Sequence, residues 1–327
     1  MPMAGRVPAL SAVIPVYNSA LSLPDLVARL QPVLSASADQ FEIVFVDDDS
    51  RDDSWRVLAG LCLLHPDWIR AIPLMRNSGQ HNALLCGIRA ARYGLIVTLD
   101  DDLQNPPEEI PKLLEALDDG VDVVYGAPPH GVHGLWRNLA SQMTKIVLQG
   151  ALGAETARMV GPFRVFRTEL RHAFDQYSSA FVNIDVLLTW GTTRFKAIRV
   201  RHDERRVGKS NYTFLKLLTH SMNMTTGFST MPLKWASILG FGATAFGLVL
   251  LAYVLGRYFL QGISVPGFAF LASVTIIFAG AQLFTLGIIG EYLARVHVRL
   301  TERPAYTIRT DAAQGFVAGH NRAVEHE

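Results

Sequence analysis

Two apolar segments near the carboxyl end, Trp235–Leu260 and Pro266–Gly290, constrain the fold of this chain more than any other feature. Each exceeds the roughly 20 helical residues that cross a bilayer core. The one formally charged residue in either is Arg257, close enough to the end of the first segment for its guanidinium to reach the interface. As core helices of a soluble domain they would have to be buried on every face. Only Gln261–Val265 lies between them, so the pair is predicted to form an antiparallel transmembrane hairpin. Arg201, Arg205, Arg206, Lys209, Lys216 and Lys234 precede it, and Arg295, Arg299 and Arg303 follow. The excess of positive charge on both flanks places them in the cytosol and the short connection outside. Gly240, Gly242 and Gly247 on one helix, with Gly280 and Gly287 on the other, are expected to let the helices approach closely. Phe214, Leu217, Leu218 and Met222 mark an amphipathic helix just before the hairpin, suited either to the membrane interface or to packing on the domain surface.

The first half of the chain has a different rhythm. Short β-branched runs at Ala12–Val16, Phe41–Val46, Ile69–Ile72, Leu95–Leu99 and Val121–Tyr125 alternate with stretches of helical period. The runs are apolar almost throughout, as expected of strands covered on both faces. Leu23, Leu26, Val27, Leu30, Val33 and Leu34 outline the first helix, with Ser22, Pro24 and Asp25 as its start signal. Further helices are predicted over Asp53–Leu64, His81–Tyr93, Pro107–Leu117 and Leu135–Leu148, and a further strand over Phe195–Val200. This order predicts an α/β, doubly wound, mainly parallel sheet. The expected organisation is a catalytic domain over 1–210, interfacial helices over 211–233, two transmembrane helices over 234–290 and a cytosolic tail over 291–327. Ala305–Arg309 is a candidate edge strand in that tail.

Charge and cysteine content exclude other classes. With 30 Lys+Arg against 29 Asp+Glu, the chain has no bulk attraction for nucleic acid. Its two cysteines, Cys62 and Cys86, are too few for a disulfide framework and read as reduced core thiols. The first ten residues contain no long apolar run of the secretory kind. Gly208-Lys209-Ser210 is not a phosphate-binding P-loop, because Asp203 stands where that motif needs glycine.

Chemistry concentrates at two strand ends. Leu99-Asp100-Asp101-Asp102-Leu103-Gln104-Asn105-Pro106-Pro107 follows the fourth strand, where open α/β sheets bind ligands. In extended chain Asp100 and Asp102 point one way and Asp101 the other. Asp100, Asp102 and Gln104 supply the hard oxygen ligands that Mg²⁺ or Mn²⁺ takes alongside substrate phosphates. A second cluster, Asp47-Asp48-Asp49-Ser50-Arg51-Asp52-Asp53, follows the second strand. Asp48 is its ligand candidate for a base or ribose, with Asp52 or Asp53 serving the next helix.

These segments, with Val13-Ile14-Pro15-Val16-Tyr17-Asn18 and Arg76-Asn77-Ser78-Gly79-Gln80, resemble those of inverting GT-A nucleotide-sugar glycosyltransferases. More narrowly, the series resembles the polyprenyl-phosphate glycosyltransferases. It continues through Arg205-Arg206-Val207-Gly208-Lys209-Ser210-Asn211-Tyr212, the two apolar segments and Gly290-Glu291-Tyr292-Leu293-Ala294-Arg295, and so covers about Leu10 to Thr310. The resemblance implies that Pro15, Tyr17, Asn18, Asp47, Asp48, Asn77, Gly79 and Asp100 bind the nucleotide. It assigns the metal to Asp100, Asp102 and Gln104, and catalysis to Asp102 and Asp100, with Arg164 a candidate, beside Arg137 or a histidine, to substitute for an arginine the family carries after its fifth strand. Arg137, Ser141, Arg205, Lys209 and Ser210 would meet the acceptor lipid phosphate. The partners implied are a nucleotide-sugar donor, most simply a UDP-sugar, and undecaprenyl or another polyprenyl phosphate. The implied setting is the bacterial inner membrane, with a multi-pass chain, a cytosolic catalytic domain and a homo-oligomer, a tetramer favoured.

Three positions depart from the family pattern. Ser19 replaces a glutamate, Pro162 replaces an aspartate often used as general base, and no arginine follows the fifth strand in Gly126-Ala127-Pro128-Pro129-His130. A processive polysaccharide synthase would share the catalytic fold but needs more helices and a Gln-x-x-Arg-Trp motif, which the chain lacks. A non-catalytic membrane scaffold would have no use for the aspartates.

Overall fold

A computed structural model describes residues 6–128, 160–179, 182–203, 231–261, 267–301 and 303–310. The chain divides into two compact units. One comprises Met1–Asn138, Leu148–Tyr212 and Glu302–Glu327; the other comprises Leu139–Val147 and Thr213–Thr301. The predicted helix over 135–148 and the interfacial helix lie outside the described residues, the latter but for its last three positions.

The first unit is built on β1 (Val7–Val16), β2 (Ala38–Asp47), β3 (Ile69–Pro73), β4 (Leu95–Thr98), β5 (Val123–Ala127), β6 (Arg164–Arg167) and β7 (Phe195–Arg199). These form one sheet in the order β3-β2-β1-β4-β6-β5-β7. All neighbours are parallel except β6, which runs antiparallel to both β4 and β5. Side chains alternate between two cores. Ala12, Ile14, Ile43 and Phe45 face one, while Val13, Val44 and Val46 face the other. The helices α1 (Leu23–Ser37), α2 (Ser54–Leu64) and α4 (Ile110–Ala116) cover the first face through Leu26, Leu30, Leu58 and Leu113. The second is covered by α3 (Gln80–Ala90) and α5 (Ile184–Gly191) through Leu84, Ile88, Leu187 and Leu188. Burial on both sides is why the strands read as continuous apolar runs.

Two local readings need correction. Helix α1 starts where expected, but the Ser22 hydroxyl donates to Ser19 O and does not cap the helix. Strand β6 and helix α5 were not anticipated; Arg164-Val165-Phe166-Arg167 has an arginine at each end and no strand-like alternation.

Helix α3 is held unusually close to the sheet. A Cβ on Gly87 would lie 2.4 Å from Val13 Cγ1 and 3.1 Å from Val46 Cγ2. That approach fixes the position of the α3 amino terminus, and with it Gln80, beside the end of β4.

The second unit contains α6 (Met231–Gln261) and α7 (Phe268–Leu300). Both are long and apolar enough to cross a membrane. Their large apolar side chains face outward, Phe241 being 79% and Phe259 77% exposed. The hydroxyls of Ser237, Thr244, Thr275 and Thr285 each donate to the carbonyl one turn back, so they present no free donor to lipid. Arg257 donates to Tyr253 OH, also one turn back. Of the five glycines expected to draw the helices together, Gly247 alone meets a side chain of the other helix among the described residues, the Phe278 ring. Helix α7 runs ten residues past the apolar segment, to Leu300.

Candidate active site

The carboxyl ends of β3, β2, β1 and β4 lie side by side, so their loops form one rim. Chain order reverses between β1 and β4: β2 and β3 build outward on one side, β4 on the other. Such a reversal opens the crevice in which doubly wound sheets bind ligands. Tyr17 and Asp101 meet across it, the Tyr17 amide donating to Asp101 Oδ2 at 3.1 Å. Asp101 therefore ties the turn after β4 to the end of β1 across the crevice.

The rim is tied by short side-chain bonds. Asn18 N donates to Ser50 Oγ (3.0 Å), and Arg51 N donates to Asn18 Oδ1 (2.7 Å). Asp52 accepts from Ala20 N and from Ser54 N and Oγ, so it anchors the start of α2. Burial works against its charge, but the Ser54 and Ala20 bonds hold its pKa below the ordinary value. Among the described residues, three that are not glycine have positive φ: Asn18 (54°), Asp49 (58°) and Leu103 (62°). All three follow strand carboxyl ends on this rim, where surrounding structure must hold a costly backbone conformation.

Asp48 is 3% exposed, and its two oxygens accept from Ser78 N (2.7 Å) and Gly79 N (2.8 Å). Its visible work is to clamp the turn before α3, where Gly79 adopts φ 93°. Asn77 is exposed beside that turn. Asp47 Oδ1 is buried with no hydrogen-bond partner among the described residues. Burial pushes the carboxyls of Asp47 and Asp48 up, and the hydrogen bonds they accept only partly offset it. Pro15 is buried beneath the rim, whereas Tyr17 and Asn18 are exposed on it.

Asp100 is the most perturbed carboxyl on the rim. Burial, then repulsion from Asp102 and Asp101, pushes its pKa up to about 7, despite Arg164 below and a 2.6 Å bond from Gln80 Nε2. Gln80 was missed as a site residue, although it closes the quoted Arg76–Gln80 motif. Asp102 Oδ1 accepts from Gln104 N at 3.1 Å, and Gln104 O accepts from Asp203 N at 2.9 Å. Among the described residues no three His, Cys, Asp or Glu side chains gather as a ready ligand set. The donor chemistry nevertheless fits a hard divalent cation. Crowded carboxylates with a raised pKa and an orphaned carboxylate oxygen nearby are what an added positive charge relieves.

Arg164 does not fit a role at the reacting atoms. It is 1% exposed, donates from Nε to Thr98 Oγ1 (3.0 Å) and pairs with Asp185, which also accepts from Tyr125 OH (3.0 Å). It supports Asp100 electrostatically from beneath. Arg137, Ser141, Arg205, Lys209 and Ser210 lie outside the described residues.

Residues 11–181 match the family described as glycosyl transferase family 2. The undecaprenyl-phosphate 4-deoxy-4-formamido-L-arabinose transferase of Klebsiella pneumoniae is 35% identical over 301 residues, 91% of this chain and 92% of the relative. Its counterpart in Yersinia enterocolitica is 34% identical over 306 residues, 93% of this chain and 94% of the relative. This chain belongs to glycosyl transferase family 2. The family 2 domain has the GT-A architecture expected from its motifs. The glucosyl-3-phosphoglycerate synthase of Mycobacterium tuberculosis, solved with Mn²⁺, uridine diphosphate and glucosyl-3-phosphoglycerate, shares the fold. The TM-score is 0.50 at 17% identity, covering 68% of this chain and 78% of that one. As a family 2 member, the protein is a glycosyltransferase.

Proposed function

We propose that this glycosyltransferase moves a single sugar, with inversion, from a nucleoside-diphosphate sugar to undecaprenyl or a related polyprenyl phosphate. The observation that carries this reading is the union, in one chain, of the Asp100–Asp102 crevice with two outward-facing apolar helices. Relatives that match more than nine-tenths of the chain, both units included, are named for transfer to undecaprenyl phosphate. UDP is the favoured nucleotide. In the reaction the bond from the anomeric carbon to the donor diphosphate breaks, the nucleoside diphosphate leaves with the electron pair, and an acceptor phosphate oxygen bonds to the opposite face.

The chain's own residues divide the work. Asp100 and Asp102, with Gln104, would hold Mg²⁺ or Mn²⁺, whose charge would stabilise the leaving diphosphate. Tyr17, Asn18, Asn77, Gly79 and the Asp47–Asp48 loop would border the nucleotide. The acceptor is already an anion, so it needs no strong base. Pro162, in place of the aspartate common elsewhere, is consistent with that. The basic segment Arg205–Ser210, with Arg137 and Ser141, would receive the lipid phosphate. Asp203, the last described residue before that segment, donates its amide to Gln104 O. The hairpin would anchor the enzyme in the bacterial inner membrane, cytosolic face inward, and a homotetramer is the expected assembly.

The test is to incubate membranes containing the protein with undecaprenyl phosphate, Mg²⁺ or Mn²⁺ and a panel of nucleotide sugars, then weigh the lipid product. One donor should yield a lipid heavier by a single glycosyl unit, and excess chelator should abolish it. A polymer, or turnover that persists in chelator, would defeat the reading.

A further inference from the structure

The segment after the second long helix is not a loose tail. Residues 303–310 return to the catalytic unit and lie antiparallel against the end of β3: Met75 N donates to Thr307 O and Arg309 N to Pro73 O, both at 2.8 Å, with Leu74 opposite Ile308. Ala305 is 4% exposed, and Tyr306 joins the core beside Ala83, Cys86 and Ile88. The Arg89 guanidinium lies 5.9 Å from the Tyr306 ring centre, and it also holds the Phe174, Asp175 and Tyr177 carbonyls. Beyond this backbone pairing, Arg309 Nη2 reaches Asp49 Oδ1 at 3.1 Å.

That last contact lands on a sensitive residue. Asp49 has φ 58°, and it stands between Asp48, which clamps Ser78 and Gly79, and Ser50, which accepts from the Asn18 amide. Three separate loops of the rim therefore depend on the path taken by Asp48–Ser50. A left-handed non-glycine residue keeps its conformation only where neighbouring groups hold it. Arg309 supplies such a hold from 260 residues away in sequence. Beta pairing gives the segment its register, so the guanidinium is delivered to Asp49 rather than left to search for it.

We propose that residues 303–310 form a clasp that completes the donor-nucleotide rim, with Arg309 as a positioning residue acting through Asp49. The clasp rests on the reading of the Asp47–Asp49 loop as nucleotide-binding. It gives the catalytic unit a second covalent tie to the long helices, since Arg309 comes nine residues after the end of α7. Its removal should weaken donor capture while leaving the chemical step intact.

The experiment compares the full-length wild type, Arg309→Ala, Arg309→Lys, Asp49→Ala and the double variant Asp49→Ala/Arg309→Ala. Donor KM, kcat and UDP binding with Mn²⁺ are measured for each, with amide hydrogen exchange over residues 46–50 and 74–80. Arg309→Ala should raise donor KM and the UDP Kd about two- to fivefold, as suits a half-exposed ion pair, with kcat changed less than twofold. Lysine should restore part of the loss, and the double variant should be no worse than Asp49→Ala alone. Exchange of the Ser78 and Gly79 amides should quicken in Arg309→Ala. Wild-type UDP binding with Arg309→Ala unchanged in KM, Kd and exchange would overturn the clasp while leaving the donor site standing. A wild type that binds no nucleotide would defeat the donor-site reading, and with it the role assigned to Arg309. A chain ending at Arg303 provides the larger perturbation, expected to show at least the Arg309→Ala defect in donor KM.

Discussion

At the amino ends of the strands, carboxylates are matched to cations; at the carboxyl ends, apart from Asp49 with Arg309 and the hydrogen-bonded Asp52, they are left against one another. Asp122, just before β5, receives Arg194 Nη2 (2.8 Å) and Nε (2.9 Å), Thr192 Oγ1 (2.5 Å) and Arg167 Nε (3.4 Å). Burial opposes its charge, yet the Thr192 and Arg194 bonds and the two guanidinium charges hold its pKa below the ordinary value. Glu42, 1% exposed, is likewise satisfied by Ser11 Oγ, Arg70 Nη1 and Arg92 N. At the other end, burial raises Asp47, Asp48, Asp100 and Asp101 together. The guanidinium beneath Asp100 is already committed to Asp185. The difference teaches where the fold keeps unneutralised charge. A groove of about 580 Å³ opens at the matched end, and Asp122, Arg167 and Arg194 along its wall already answer one another. The unmatched end is where a cation and a diphosphate have something to add.

The sharpest way to break this comparison is to neutralise one carboxylate at each end. Asp102→Asn keeps an acceptor for the Gln104 amide but removes the charge. Turnover should fall about 10³-fold or more, equivalent to about 4 kcal/mol of transition-state stabilisation, with an unchanged circular dichroism spectrum. Activity within tenfold of wild type would mean the acidic rim is structural. Asp122→Ala should do the reverse. It strips Arg194 and Arg167 of their partner and should cost about 2 kcal/mol, a Tm lower by about 4–8 °C, with kcat within twofold. If Asp122→Ala abolished transfer at unchanged Tm, the division of labour between the two ends would be wrong.

The sheet was legible where apolar runs are continuous, which burial on both faces favours. β7, only half-buried and carrying Lys196 and Arg199, was still legible, whereas β6 is buried but was not: Arg164 and Arg167 bracket only Val165 and Phe166. Within the site, the acidic turns showed themselves by composition and by their place after strands. Their partners did not. Nothing near Asp48 announces that the Ser78 and Gly79 amides occupy its oxygens, and Arg164 looks free until Asp185, 21 residues away, is folded onto it. The Arg309–Asp49 contact spans most of the chain. Local pattern encodes residue type and strand position; pairing between distant segments depends on topology, which no short-range period records.

The smallest effect, and the most specific to the unmatched end, is a pH dependence of the metal-free protein. Asp100 titrates near 7 in the fold and near 3.8 when exposed, so between those values the folded chain binds the extra proton. Its contribution to stability is therefore fully present below about pH 4 and is lost as pH rises through 7. The full shift would correspond to about 4 kcal/mol, but Asp100 is only partly shielded from solvent, and about 1–2 kcal/mol is the expected size. In chelator, Tm should fall by a few degrees between pH 5 and pH 8, and Asp100→Asn should flatten the slope. Added Mn²⁺ should restore Tm at pH 8 far more than at pH 5, because at pH 5 the cation must displace a proton from Asp100. Asp122, with its lowered pKa, pulls the other way, since its stabilisation fades only as pH drops below the ordinary carboxylate range. A metal-free Tm that rises from pH 5 to pH 8 would show that the carboxyl-end aspartates are paired as well as those at the amino end, and the contrast between the two ends would collapse.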